Sequence, residues 1–113
     1  MNAEALLVAH LNAVDGRPAE AFMEVPANRP PRFITIERTG GPRGLVRELP
    51  VFAIQCWAET RWEASELARQ TTDNLEGLRA HPSVGRVEVT STYNFPSPEG
   101  APRYQIVAEV VTV

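Results

Sequence analysis

The final stretch RYQIVAEVVTV, residues 103–113, is apolar on both sides of an extended chain. Successive strand side chains point to opposite faces, so Ile106, Ala108 and Val110 share one side and Val107, Val111 and Val113 the other. The run LVRELPVFAIQCWA (45–58) doubles in the same way. Phe52, Ile54, Cys56 and Ala58 lie on one face, and Val51, Ala53, Gln55 and Trp57 on the other. Strands of this kind belong in a sheet covered on both faces, and one layer of helices covers only one. Either a neighbouring subunit takes the second face or the N-terminal helix lies across it.

The remaining elements follow from periodicity and stop signals. Residues 3–13 place Ala3, Leu7 and Leu11 at helical spacing, continued by Val14, and Asp15-Gly16-Arg17-Pro18 ends that helix. From Ala19 to Arg32 no period is sustained, and Pro26, Pro30 and Pro31 make an extended connection with room for a short strand over Ala21–Glu24. RFITIER (32–38) has strand composition. Pro50 cannot donate to a ladder and marks a bulge or an edge position. Thr60-Arg61-Trp62-Glu63 is a capping box, in which Thr60 and Glu63 each satisfy a backbone donor. Behind it Ala64, Leu67, Ala68, Thr71, Leu75 and Leu78 form a core-facing stripe that His81-Pro82 ends. In RVEVTSTY (86–93), Val87, Val89 and Ser91 share a side, and NFPSPEGAP (94–102) reads as a long stiffened loop, not a tight turn. The order α-β-β-α-β-β describes one α+β domain over residues 1–113, with helices packed on a mainly antiparallel sheet of about four strands.

IERTGGPRGLVRE (36–48) tests for phosphate chemistry. A phosphate cradle needs successive N–H groups where a strand feeds a helix. Here Gly40-Gly41-Pro42 precedes a second strand, Pro42 has no N–H, and no Gly-Lys-Ser/Thr follows. These are hairpin glycines, serving positive φ. His10 and His81 have no third ligand at a metal spacing. Cys56, the single cysteine, excludes an internal disulfide and fits a reducing compartment; on an apolar strand face it reads as a buried inert thiol. Glu63 and Glu66 are a capping residue and a solvated neighbour, and no serine has a nucleophile-elbow context. Neither an enzyme, nor a metal, nor a cofactor is expected.

Charge narrows the partners. The net charge of −3 gives no case for sequence-specific nucleic-acid binding, so base stacking by Tyr93 and Phe95 is not expected. No run is long enough to span a bilayer, and MNAEALLVAHLNAVDG lacks the early positive charge and cleavage site of a signal peptide. All basic residues are arginine. Five of them, Arg29, Arg32, Arg38, Arg43 and Arg47, fall where the only acid is Glu37, and residues 48–76 hold six acids against Arg61 and Arg69. This describes a basic hairpin with an acidic flank, or two solvated faces. Trp57 and Trp62 flank the strand-to-helix junction, as core packing or as a partner surface.

EVPANRPPRFITIERTGG followed by LPVFAIQCWAETRWEASELARQ resembles the tail-terminator, or tail-completion, proteins of long-tailed bacteriophages and prophages, most closely those of actinobacterial phages. The likeness runs from about Val25 to the C-terminus, through the VPANRP motif, the RTGG hairpin and the QCWA strand entering a capped helix. It implies a non-enzymatic ring, typically hexameric, assembled in the host bacterial cytoplasm and sited at the tail–head junction of the virion. Such a ring caps the tail-tube protein, stops tail growth and meets a head-completion or neck protein. A closed ring needs a heterologous interface, which the basic hairpin and acidic flank could supply.

In that role Arg38, Gly40, Gly41 and Arg43 present the hairpin, Trp57 and Val111 cover the second sheet face, and Asn94, Phe95 and Pro96 form a projecting loop. Membership of such a family does not carry these assignments residue by residue. Two other roles remain: a different neck or head–tail joining protein of the virion, and a small cytosolic α+β domain binding a ligand between sheet and helix.

Overall fold

A computed structural model describes residues 2–40 and 50–112. Helix α1 spans Ala3–Ala13, strand β1 Glu20–Phe22, β2 Phe33–Gly40 and β3 Val51–Trp57. Helix α2 follows at Arg61–Glu76, tightens into a 3-10 turn over Gly77–Ala80, and leads to β4 (Val84–Asn94) and β5 (Arg103–Thr112). The α+β class stands, but the sheet has five strands in the order β1-β2-β3-β5-β4. The additional strand is β1, a short strand that overlaps the expected one over Ala21–Glu24 but starts at Glu20 and ends at Phe22; it pairs parallel to β2, whereas the other three pairings are antiparallel.

Pairing across the sheet sorts residues by face. Ile34, Ile36, Phe52, Ile54, Cys56, Ile106, Ala108, Val110 and Val87 stand opposite one another and form one core with Leu7 and Leu11 of α1 and Leu67, Ala68 and Leu75 of α2. Both helices therefore pack on the same face. The alternative in which α1 covers the second face is overturned, because α1 lies beside α2, where the His10 Nε2–H donates to the Asn74 carbonyl at 2.8 Å. The α2 stripe is buried from Ala64 through Leu78. Each large side chain removed from water there contributes about 1.5–3 kcal/mol.

The cap at Thr60 differs in one detail from a reciprocal capping box. Thr60 Oγ1 accepts from the Glu63 N–H at 3.1 Å, while the Glu63 carboxylate takes the Thr60 hydroxyl proton at 3.0 Å in place of a backbone donor. Two further expectations change with strand register. A bulge between Val89 and Ser91 inverts β4, so Val89 faces the helices opposite Ala108 but Ser91 stands opposite Val107 on the other face. The segment after Asn94 is no open loop, since the Phe95 N–H donates to the Arg103 carbonyl and the Ser97 N–H to Ala101. A tight turn closes it, with the Gly100 N–H on the Ser97 carbonyl at 2.8 Å and Gly100 at φ +87°. Pro50 precedes β3 directly, and its carbonyl accepts from the Val110 N–H at 3.0 Å.

Candidate subunit and partner interface

The helix-free face is built in rows that cross the sheet. At one end Phe33 stacks on Trp57, with centroids 5.1 Å apart and planes 14° apart. The Arg103 guanidinium lies 4.8 Å from the Trp57 ring and 5.0 Å from Phe95, and Arg29 lies 5.3 Å over Trp57. Arg29 belongs to the proline-rich connection, so the chain itself covers this end. Next comes a row of hydrogen bonds. The Trp57 Nε1–H donates to Thr35 Oγ1, the Thr35 hydroxyl to Gln55 Oε1, Gln55 Nε2 to Gln105 Oε1, and Gln105 Nε2 to the Tyr93 hydroxyl. Beyond it stand Ala53 and Val107, then Val51 and Glu109, then Val111 opposite Arg86.

Charge is graded along this face. Burial lowers the Arg103 pKa, while Glu99 and Glu37 oppose that shift; a guanidinium stays protonated regardless. Glu99 is held below the usual carboxylate range by its own backbone N–H, then by the Ser97 hydroxyl, and by Arg29 and Arg103. At the far end Glu88 and Glu109 stand directly opposite one another, with Arg86 paired to Glu88.

The anticipated interface residues fall into two groups at opposite ends of β3, roughly 20 Å apart at strand rise. Trp57, Asn94, Phe95 and Pro96 gather around Arg103, and of these Phe95 is 42% exposed but Trp57 only 6%. Arg38, Gly40 and Val111 lie at the other end. The Arg38 N–H donates to Glu4 Oε2 at 3.1 Å, and the side chain stands on the helix side opposite Phe52. Gly40 pairs with Val51 just after a register shift that follows Arg38, and it has no positive φ, so a left-handed backbone does not explain this glycine. Gly41 and Arg43, like Val113, lie outside the described residues. Val111 is 8% exposed.

Sequence reasoning missed Arg103 and the glutamine row. The available signal was Gln55 and Gln105, each a polar residue within an otherwise apolar strand. Trp62, 71% exposed beside the α2 cap, is the most exposed large apolar residue in the described chain.

The remaining polar groups have local roles. Burial pushes the Cys56 thiol up to about 12, an effect the neighbouring Thr71 side chain only partly offsets, so the thiolate needed of a nucleophile is suppressed. His81 Nδ1 accepts from the Ser83 N–H at 3.0 Å. Among the described residues no three His, Cys, Asp or Glu side chains cluster to hold a metal, and no helix is long and apolar enough to cross a membrane. Open clefts among the described residues include two. One of about 230 Å³ runs between Arg29, Pro31, Trp57 and Ala101, and another of about 310 Å³ lies between the Gly16 turn, Arg32 and α2. Searches against protein-family models and curated proteins return no match to this chain.

Proposed function

We propose that this chain is a structural assembly subunit of a long-tailed phage, acting as a tail terminator: a ring that caps the tail tube, stops its growth and joins it to the head. The observation carrying the proposal is where the residues behind the resemblance sit. Arg29 of VPANRP lies over Trp57 of QCWA, although the two are far apart in sequence. Two of the segments that carry the resemblance, VPANRP and QCWA, thus meet on the face that neither helix covers. The exposed aromatics Phe95, Tyr93 and Trp62 add apolar surface suited to a protein partner.

Ring closure uses two different patches on each subunit. The arginine-rich stretch 29–47 and the acidic stretch 48–76 supply opposite charge for them. Light scattering over a concentration and salt series, with electron microscopy of the chain mixed with tail tubes, tests this reading. A closed ring seated on tube ends is the expected result, whether the free chain is a ring or a smaller form. Reversing Arg38 and Arg43 to Glu weakens assembly and abolishes its salt dependence. A chain that forms no ring alone and does not bind tube ends overturns the proposal.

A further inference from the structure

The two edges of the sheet are finished differently. On the β1 side, the Asn12 side chain brackets Ala21 as a neighbouring strand would: Nδ2 donates to the Ala21 carbonyl at 3.0 Å and Oδ1 accepts its N–H at 2.8 Å. Further along, where β1 no longer reaches, Glu4 takes the Arg38 N–H. This edge is sealed by side chains of α1. On the other side β4 is the edge strand, and its first half is also capped, by Arg79 Nη2 donating to the Val87 carbonyl at 2.6 Å.

The second half of β4 has no such cap. The Phe95 N–H bond to Arg103 sets the phase of the antiparallel ladder, so Tyr93 exchanges bonds with Gln105 while Thr92 and Asn94 turn their N–H and C=O groups outward. No described residue bonds these four groups. The segment is also undefended by charge: residues 89–98, VTSTYNFPSP, contain no ionisable carboxylate, arginine or histidine. Natural edges are ordinarily blunted by charge, proline, a bulge or a covering element, and here the bulge before Ser91 and Pro96 flank residues 91–95 without blunting them.

We infer that this half-edge pairs with the same segment of a second copy, two antiparallel β4 strands meeting about a two-fold axis at Tyr93. The occupant follows from the geometry. Among the described residues the opposite edge is already bonded by α1 at Ala21 and Arg38, which leaves the β4 edge of a second copy as the match. Centring on Tyr93 sets Thr92 of each chain against Asn94 of the other, where each pair exchanges two hydrogen bonds and all the open groups are used. Ser91 then faces Phe95, and the two Tyr93 rings meet in a non-hydrogen-bonded pair, the closer of the two pair types. No like charges oppose one another within the paired stretch. The bulge before Ser91 ends it on one side and Pro96 on the other.

The pairing goes beyond the ring reading and does not depend on it. A cyclic ring has no two-fold axis between neighbours, so the dimer is a form of the free chain that occludes an edge otherwise open to mispairing. The test is light scattering of the purified chain up to high micromolar concentration, with two variants. The wild-type chain is expected at twice its 12.5 kDa mass, dissociating on dilution.

Thr92→Pro removes an outward N–H that the β5 ladder does not use. It should raise the dimer dissociation constant about tenfold or more, since the two-fold axis doubles the loss. Tyr93→Cys places two thiols across the axis at a Cα separation of roughly 4.5 Å, within disulfide range, and should give a covalent dimer on mild oxidation. The buried Cys56 does not compete. A strict monomer, or a dimer indifferent to Thr92→Pro and not linked through Cys at 93, overturns the pairing. A ring with the same indifference overturns it and leaves the proposed function standing.

Discussion

The two faces of the sheet are held by different kinds of interaction. On the helix side Phe52, Ile54, Ile106 and Val110 are fully excluded from water, and their burial is the main source of stability. On the other side Phe33, Thr35, Ala53, Trp57 and Val111 are also buried but Val51, Gln55, Gln105 and Val107 only half-buried, and at the Phe33–Trp57 end the cover is made of guanidinium groups and a proline-rich segment. The middle of that face is a row of hydrogen bonds, each worth far less net than a buried large side chain. A face packed by helices supports the fold. A face closed by arginines and amides can keep its shape in water and still offer surface to a partner.

Matched substitutions on the two faces would sharpen or break this comparison. The largest effect is expected for Phe52→Ala, about 3–5 kcal/mol lost in urea unfolding with an unchanged slope. Next comes Cys56, whose thiol rises from its usual 9.0 to about 12 through burial. A group raised in the folded state adds its stability below the unfolded pKa and loses it as pH climbs toward the folded one. Wild-type stability should therefore fall relative to Cys56→Ala above pH ~9, by about 1.4 kcal/mol per pH unit; parallel profiles would show a thiol less buried than described.

Arg103→Met removes two aromatic contacts and the hydrogen bond to the Phe95 carbonyl on the open face, and should cost about 1–2 kcal/mol. Val107→Ala, half-buried on the same face, should cost about 1 kcal/mol or less. If Val107→Ala proved as damaging as Phe52→Ala, the contrast between the faces would collapse.

What could be read from the sequence was what depends on neighbours along the chain. The α2 stripe, the Thr60 cap and the strand cores follow from spacing alone. The three residues of β1 were too short to carry a period, and their place is fixed by Asn12 and β2. The side α1 takes depends on the path of the 14–19 connection, which has no periodicity to read. The β4 bulge is visible only against its partner, so strand alternation alone puts Ser91 on the face of Val89. For the interface the sequence signalled two apolar faces but not how the second is closed. Arg103 meets Trp57 only through the pairing of β3 with β5, and no local pattern announces it.

That pairing also governs how the chain must fold. β4 and β5 form a hairpin from adjacent segments, and α1 meets β1 through Asn12 within a few residues. β3 and β5 join Trp57 to Arg103 and Val51 to Glu109, contacts roughly fifty residues apart that close the centre of the sheet. The two ends of the chain can order early, but the sheet becomes continuous only when this seam forms. Until then β5 exposes its apolar edge, so the rate of seam closure sets how long a newly made chain stays vulnerable to aggregation.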